Sequence, residues 1–300
     1  MRAHDVRGSG RTREVKERSG RGRPGGGGEG PVLAAAPEVG HHPGTVRVLL
    51  SNDDGVHAAG LAALAAAFEG DEVWICAPDR EQSAASHAIS LHRPLRLHEV
   101  GPRRFAVDGT PTDAVYVGLN LLLRGRWPDV VVSGINHGPN LGNDVHYSGT
   151  VAAAMEGALL GVPALAVSLA HPPPHDFAEA ARFAARLARA LVASRPDAPV
   201  LLNVNVPPGP VRGWRLVRLG KRTYGNEVVE KTDPRGRKYY WIGGEGGAVN
   251  EDIPGSDCNC VTHDGLVAVT PLGLDATHQE GLVTLGALAV PGFPPGGGGP

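Results

Sequence analysis

The chain has only three cysteines, Cys76, Cys258 and Cys260, too few and too poorly spaced for the disulfide framework of a small secreted domain. It also lacks an excess of either charge. Its 29 Lys and Arg against 31 Asp and Glu leave a formal net charge of -2, so no general basic field draws it to nucleic acid or anionic lipid. No apolar run reaches the roughly 20 residues needed to cross a bilayer. No secretory signal is legible either, because the run Val32 to Pro37 is weak and lies too far in. The expectation is a cytoplasmic protein with no membrane partner and no stable nucleic-acid partner. Cys258, Cys260 and His263 lack the fourth ligand and the two-residue spacer usual in a zinc site. No G-x-G-x-x-G follows the first strand, where the loop reads SNDDGVHAAG, so a dinucleotide is not expected.

What is present suits one large globular domain: 300 residues, 41% hydrophobic and 20% charged, are ample for a core. Residues 1–44 are of another kind, rich in Gly and Arg with almost no apolar residue before Val32, and are expected to be a disordered tail. Asp5, Glu14 and Glu17 argue against a transit peptide. The Pro- and Gly-rich residues 291–300 are expected to be disordered as well. Folding therefore spans 45–290.

The domain is organised around VRVLLSNDDGVHAAG, Val46 to Gly60. Val46, Val48, Leu49 and Leu50 predict a strand buried on both faces, and Leu61, Leu64, Ala65 and Phe68 recur at helical spacing. Between them lie Asp53 and Asp54. In open α/β sheets ligands bind beyond the carboxyl ends of strands, and paired carboxylates there suit Mg²⁺ or Mn²⁺. A solvated turn or a helix cap is the plainer reading of Asp-Asp.

Glu72 to Pro78 predicts a second strand, opening into the polar loop DREQSAASHAISLHRP, from which Asp79, Ser83 and Ser86 can approach the first acidic loop. Leu95 to Val107 predicts a projecting hairpin, and Thr110-Pro-Thr-Asp caps a helix. Pro128 to Gly134 is a further buried strand emptying into INHGPNLGNDVHYSGT. There Asn136, Asn140 and Asn143 offer amides, and Ser148-Gly149-Thr150 opens a helix, which together predict a seat for phosphate. Pro163 to Leu169, Phe177 to Ala193 and Val200 to Val206 predict strand, helix and strand. The fold class is thus α/β, a Rossmann-like three-layer α/β/α sandwich with a mostly parallel sheet. From Trp214 onward WRLVRLGK, KYYWIGG and GLVAVTPLGLD read as strands, with KYYWIGG as a projecting hairpin that packs against a second subunit. Asp275 and His278 follow the last of them.

The stretches LLSNDDGVHAAG, APDREQSAASHAISL, GTPTDAVYVG, VVSGINHGPNLGNDVHYSGTVAAAMEG and DPRGRKYYWIG resemble the SurE (survival protein E) family of metal-dependent 5′-nucleotidases, from about Val46 to about Thr277. The resemblance implies one divalent cation held by Asp53, Asp54, Ser83 and Asn136, and substrate contacts at Asn140, Ser148, Gly149 and Thr150. It implies a homodimer or homotetramer formed by exchange of hairpins, near residues 224–265 here. In the mechanism expected from that ligand set, a cation-activated water attacks phosphorus, Asp53 or Asp54 orients it, and Asn140, Ser148 and Thr150 neutralise charge. A broad-specificity acid phosphatase or exopolyphosphatase on the same site, and a non-catalytic nucleotide-binding module, are the alternatives. Two departures from the family pattern stand out. PLGLDATHQE matches a PLxxDLTAH-like segment at Asp275, but His278 arrives one residue early, and the segment from Gly281 onward looks truncated or altered.

Overall fold

Three consecutive fully buried residues, Val48, Leu49 and Leu50, make the strand β1 (Arg47–Ser51) the centre of the fold. The computed structural model describes residues 45–225, 227–243 and 247–285. The tails expected at 1–44 and 291–300 lie outside the described residues.

Val48 and Leu50 point into the larger core cluster, while Leu49 lies against Gly118 on the opposite face. Such two-sided burial requires helices on both faces of the sheet. One layer is α1 (Ala59–Ala67) with α4 (Ala178–Ser194); the other is α2 (Pro111–Val117) with α3 (Gly149–Leu159). Between them run β2 (Glu72–Pro78), β4 (Arg104–Val107), β5 (Val130–His137), β6 (Ala164–Leu169) and β7 (Leu201–Val206). With β1 they form a parallel block in the order β4-β2-β1-β5-β6-β7. This is the three-layer sandwich expected from the sequence.

The edges are mixed. The hairpin expected to project is instead built into the sheet: β3 (Leu97–Gly101) pairs antiparallel with β4, which pairs parallel with β2. Phe105, Ala106 and Val107 are buried, and that apolar face gains more against the core than in solvent. At the other edge β13 (Val267–Leu272) runs antiparallel to β7, with β8 (Trp214–Leu216) beside it. Outside the main sheet, β9 (Arg222–Tyr224) pairs with β12 (Ala248–Asn250), and β10 (Val228–Thr232) with β11 (Lys238–Ile242). The β10–β11 hairpin exposes Tyr239, Tyr240, Trp241 and Ile242, as KYYWIGG suggests.

Cys258 and Cys260 sit on the short helix α5 (Asp257–Thr262), buried in a smaller core cluster with Leu141, Val217, Val261 and Ala268. Burial pushes the Cys258 thiol up to about 12 and raises that of Cys260, and both sulfurs pack as apolar core atoms. The helix α6 (Gln279–Thr284) covers the start of the segment that looks altered, and all its large side chains are exposed or half-exposed.

The chain leaves β1 for β2 on one side and returns to β5 on the other. The carboxyl ends of β1 and β5 therefore flank a topological switch point, where open α/β sheets bind ligands.

Candidate active site

Ser51 ends β1 and Asn52 follows it, both fully buried, and the chain turns at Gly55, whose φ of +100° suits glycine. The Asn52 amide donates to the Gly55 carbonyl at 3.0 Å, which closes the turn and holds Asp53 and Asp54 at the strand end. Asp53 is 5% exposed. Its carboxylate accepts from the Thr150 hydroxyl, and the Thr150 backbone N–H also bonds to it, so Asp53 lies on the first turn of α3. Burial raises the Asp53 carboxyl above the ordinary carboxylate range, and the Thr150 bonds only partly offset this.

Asp54 is pushed up to about 7, first by burial, then by the Asp53 charge and then by Glu81. Its Oδ2 is buried with no hydrogen-bond partner among the described residues, and its Oδ1 lies 3.6 Å from His137 Nδ1. Two desolvated carboxylates with an orphaned oxygen are costly unless a cation joins them. The residues therefore fit a hard divalent ion, which takes oxygen ligands. Among the described residues no group of three or more His, Cys, Asp or Glu is arranged to hold a metal ion, so hydroxyl and amide oxygens have to complete the set.

The other expected ligands flank the pair. Asn136 stands near the end of β5, within the strand rather than in the loop after it, and its amide donates to the Gly138 carbonyl at 2.9 Å. The strand reaches that far through a register shift against β6 and through Gly134, at φ +140°, where an added Cβ would meet the Val167 carbonyl oxygen at 2.4 Å. Ser83 is exposed and donates to Glu81 at 2.7 Å, while its neighbour Gln82 donates its N–H to the Asp53 carbonyl at 2.8 Å. The loop after β2 thus reaches the acidic turn through its backbone. Asp79 and Ser86 take different places: the Asp79 N–H bonds to Val107, and the Ser86 hydroxyl donates to the His146 carbonyl at 2.8 Å.

On the α3 side, Ser148 caps the helix by accepting the Val151 N–H at 3.1 Å. Asn140 is buried, and its amide nitrogen donates to Ser168 Oγ at 2.8 Å. Its backbone N–H donates to Asn205 Oδ1, and its carbonyl accepts from the Asn203 and Asn205 amides at 2.8 and 3.0 Å. In this geometry Asn140 anchors the loop, and Thr150 orients Asp53. Asp275 and His278 stand apart from this assembly: both are exposed, and among the described residues neither bonds to Asp53, Asp54 or Ser148. The Thr277 hydrogen bonds hold the Asp275 carboxyl below its usual range.

Sequence reasoning missed several groups. Glu81 acts on both aspartates, yet it reads as one more loop charge. His137 touches Asp54 and stacks on His175 and Phe177, with ring centroids 5.0 and 5.2 Å away, and only its place next to Asn136 in the chain hinted at this. Asp144 is held by Arg222 and by the Tyr224 hydroxyl at 2.6 Å, and the Arg222 N–H donates to Asn143 at 2.7 Å. This clamp ties the turn before Ser148 to β9. Arg222→Ala leaves Asp144 buried without its cation, so a cost of about 3 kcal/mol and a melting temperature lower by roughly 6–12 °C are expected. Thermal unfolding of the variant beside the parent checks this, and an unchanged midpoint would show that the pair carries no net stability.

The comparisons agree with the geometry. A family model described as Survival protein SurE matches residues 48–226. A protein of Anaeromyxobacter sp. named 5′-nucleotidase SurE is 78% identical over 248 residues, covering 83% of this chain and 98% of its own length. One of the same name from Myxococcus xanthus is 58% identical over 82% of this chain and 95% of its own. The crystal structure of the SurE protein from Aquifex aeolicus superposes with a TM-score of 0.69 at 35% identity, over 79% of this chain and 97% of that one. The acidic turn, the Asn136 strand end and the Ser148 cap all fall inside the matched span, and the chain belongs to the SurE family.

Proposed function

We propose that this chain is a metal-dependent 5′-nucleotidase, a phosphoric monoester hydrolase that converts nucleoside 5′-monophosphates to nucleoside and phosphate. The observation that carries the reading is the pair of adjacent desolvated carboxylates at the end of β1, Asp53 seated on the first turn of an eleven-residue helix and Asp54 beside it with a buried oxygen that has no partner among the described residues. Asp53, Asp54, Ser83 and Asn136 are the residues that would hold Mg²⁺ or Mn²⁺. When bound, the cation supplies neutralising charge and a water acidic enough to lose a proton near neutral pH.

The chain's own residues do the rest. The Thr150 hydroxyl and N–H fix the Asp53 carboxylate, so its geometry is set before substrate arrives. Asp54, with one oxygen free of partners among the described residues, is the group this reading assigns to accept a hydrogen bond from the attacking water. The Ser148 hydroxyl hydrogen, the Gly149 N–H and the positive end of α3 are the donors left to a phosphate, since Thr150 is engaged by Asp53. Asn140, locked by Ser168, Asn203 and Asn205, keeps the loop between β5 and α3 from moving as charge builds on the phosphoryl oxygens.

Among the described residues no helix is long and apolar enough to cross a membrane. The reading places the enzyme in the cytoplasm. It also gives the aromatic β10–β11 hairpin the role of joining copies into a dimer or tetramer, because Tyr240, Trp241 and Ile242 are costly to leave in water.

The test is phosphate release from nucleoside 5′- and 3′-monophosphates and p-nitrophenyl phosphate, with Mg²⁺, Mn²⁺ or EDTA. Release that needs metal and favours 5′-nucleotides is expected. Equal rates across the panel would support the broad-specificity phosphatase instead. Nucleotide binding without any release would support the binding module.

A further inference from the structure

His137 is the last residue of β5, and its ring lies against the acidic turn, with Nδ1 3.6 Å from Asp54 Oδ1. The ring is gripped from behind. It stacks on His175, with centroids 5.0 Å apart and planes at 20°, and on Phe177, at 5.2 Å and 28°, both supplied by the segment between β6 and α4. We infer that His137 is a positioning residue for the Asp54 carboxylate, held in place by the His175 and Phe177 rings, and that this stack sets how Asp54 presents its second oxygen. The role rests on the nucleotidase reading above and deepens it.

The carboxylate needs such a support. A terminal carboxylate turns in a broad, roughly two-fold well, so covalent geometry alone gives neither oxygen of Asp54 a fixed task. Their surroundings do. Oδ1 faces the imidazole, whereas Oδ2 is buried with no hydrogen-bond partner among the described residues. A donor at Oδ1 stops the rotation and leaves Oδ2 for a cation or a water, the usual service of a group that orients a metal ligand. The His137 backbone N–H acts on the same carboxyl in the sense that favours its charged form. Main chain and ring thus work together. At 3.6 Å the ring contact is not yet a hydrogen bond, but catalytic hydrogen bonds are often long before substrate arrives and tighten afterwards. An Nδ1–H donates whether the ring is neutral or charged, so the contact needs no change of protonation.

The grip on the ring comes from the core. Alternate strand residues share a face, which puts His137 on the face of Ile135, and Ile135 and Phe177 belong to one buried cluster. His175 and Phe177 also touch each other, with centroids 5.5 Å apart, so the three rings close on themselves. With 37% of its side chain exposed, His137 is fixed by these neighbours rather than by burial. Burial, and then the His137 and His171 imidazoles, hold His175 below the ordinary imidazole range, so it stacks as a neutral ring near neutral pH. Stacked rings aim their nitrogens in nearly parallel planes and not at one point, and among the described residues no histidine cluster is arranged to hold a metal ion. The imidazoles support the acidic pair.

The experiment titrates Mn²⁺ calorimetrically into the full chain and measures kcat and KM for adenosine 5′-monophosphate, in the parent and in His137→Phe, His137→Asn and His175→Ala. Phenylalanine keeps a stacking ring without a donor, whereas asparagine gives up the stack and can place its amide nitrogen where Nδ1 stands. His137 is exposed and His175 half-buried, so the variants are expected to fold, and circular dichroism checks this. In His137→Phe, Mn²⁺ binding is expected to weaken about tenfold and kcat to fall about tenfold or more, with KM within about twofold. His137→Asn is expected to keep both affinity and kcat within about threefold of the parent, and His175→Ala to lose about threefold in kcat. A packing role alone would reverse the order, sparing phenylalanine and damaging asparagine. That order, or a folded His137→Phe that binds Mn²⁺ and turns over like the parent, would overturn the assignment. Should His137→Phe fail to fold, His175→Ala decides, and parent-like binding and turnover there would overturn it. A parent that binds Mn²⁺ without releasing phosphate would overturn the nucleotidase reading instead, and the Mn²⁺ titrations would still decide the role of His137.

Discussion

Asp54→Asn is expected to abolish phosphate release, by a factor of a thousand or more, while making the metal-free protein more stable above neutral pH. The two effects share one cause. Folding buries Asp54 beside Asp53, and the charged form is disfavoured strongly enough to push its carboxyl up to about 7. A carboxyl whose folded value lies above its unfolded value binds more protons in the native state. Its unfavourable contribution is therefore absent below the unfolded value near 3.8, grows between there and about 7, and is fully present above that. Partial solvent access reduces the figure, leaving on the order of 1–3 kcal/mol. For a domain of this size that is a melting temperature roughly 2–12 °C higher for Asp54→Asn at pH 8 in EDTA, shrinking to nothing near pH 4. Asparagine keeps the shape, so packing changes little. Added Mg²⁺ is expected to raise the melting temperature of the parent and not that of the variant, because an ion that binds only the native state stabilises it by mass action. A variant less stable than the parent at pH 8 would show that the Asp54 charge is already compensated within the chain.

The elements carrying this site were legible in the sequence because each has a period or a cap. VRVLL can be buried on both faces only as an interior strand, and Ser148 and Thr110 sit where helix N-termini need acceptors. Asp53 and Asp54 were found for the same reason, since a strand's carboxyl end fixes where the next two side chains lie. What sequence could not show was the partner of each polar group. Asn203 and Asn205 read as strand residues, yet they hold Asn140 from more than sixty positions away, and no local pattern encodes such a bond. Thr150 read as a phosphate donor; in the fold its hydroxyl belongs to Asp53. The strands β9 and β12 have three residues each, too short for alternation to register, and Arg222 within β9 therefore gave no sign of its bond to Asp144. The β3–β4 hairpin was legible as a hairpin, but whether it projects or joins the sheet depends on β2 offering a free edge.

Gly149→Ala is the second change expected to have a large effect, and it separates the acidic pair from the helix that supports it. On helix propensity alone the substitution gains up to about 1 kcal/mol, less at this first position than in the interior. Against that gain, the added methyl would stand 2.8 Å from Asp53 Cβ, 3.0 Å from its Oδ2 and 3.2 Å from Pro111 Cγ. Asp53 has little room to give, because it is buried and held by both the hydroxyl and the N–H of Thr150. Overpacking of this kind typically costs about 1–3 kcal/mol, so the overlap outweighs the propensity. The functional loss is expected to exceed the loss of stability. A displacement of about 1 Å in a group that orients the reaction is enough for roughly a hundredfold in rate, and the same shift alters the oxygens offered to a cation. Gly101→Ala is the matched control: the nearest atom to its added methyl is Arg104 Cβ at 3.8 Å, and it lies on the edge hairpin. Calorimetric titration with Mn²⁺ and steady-state phosphate release are expected to show weakened metal binding and at least a hundredfold lower turnover for Gly149→Ala, with Gly101→Ala unchanged. If Gly149→Ala binds Mn²⁺ and turns over like the parent, the close seating of Asp53 on α3 is a packing detail and the site tolerates a looser carboxylate than proposed.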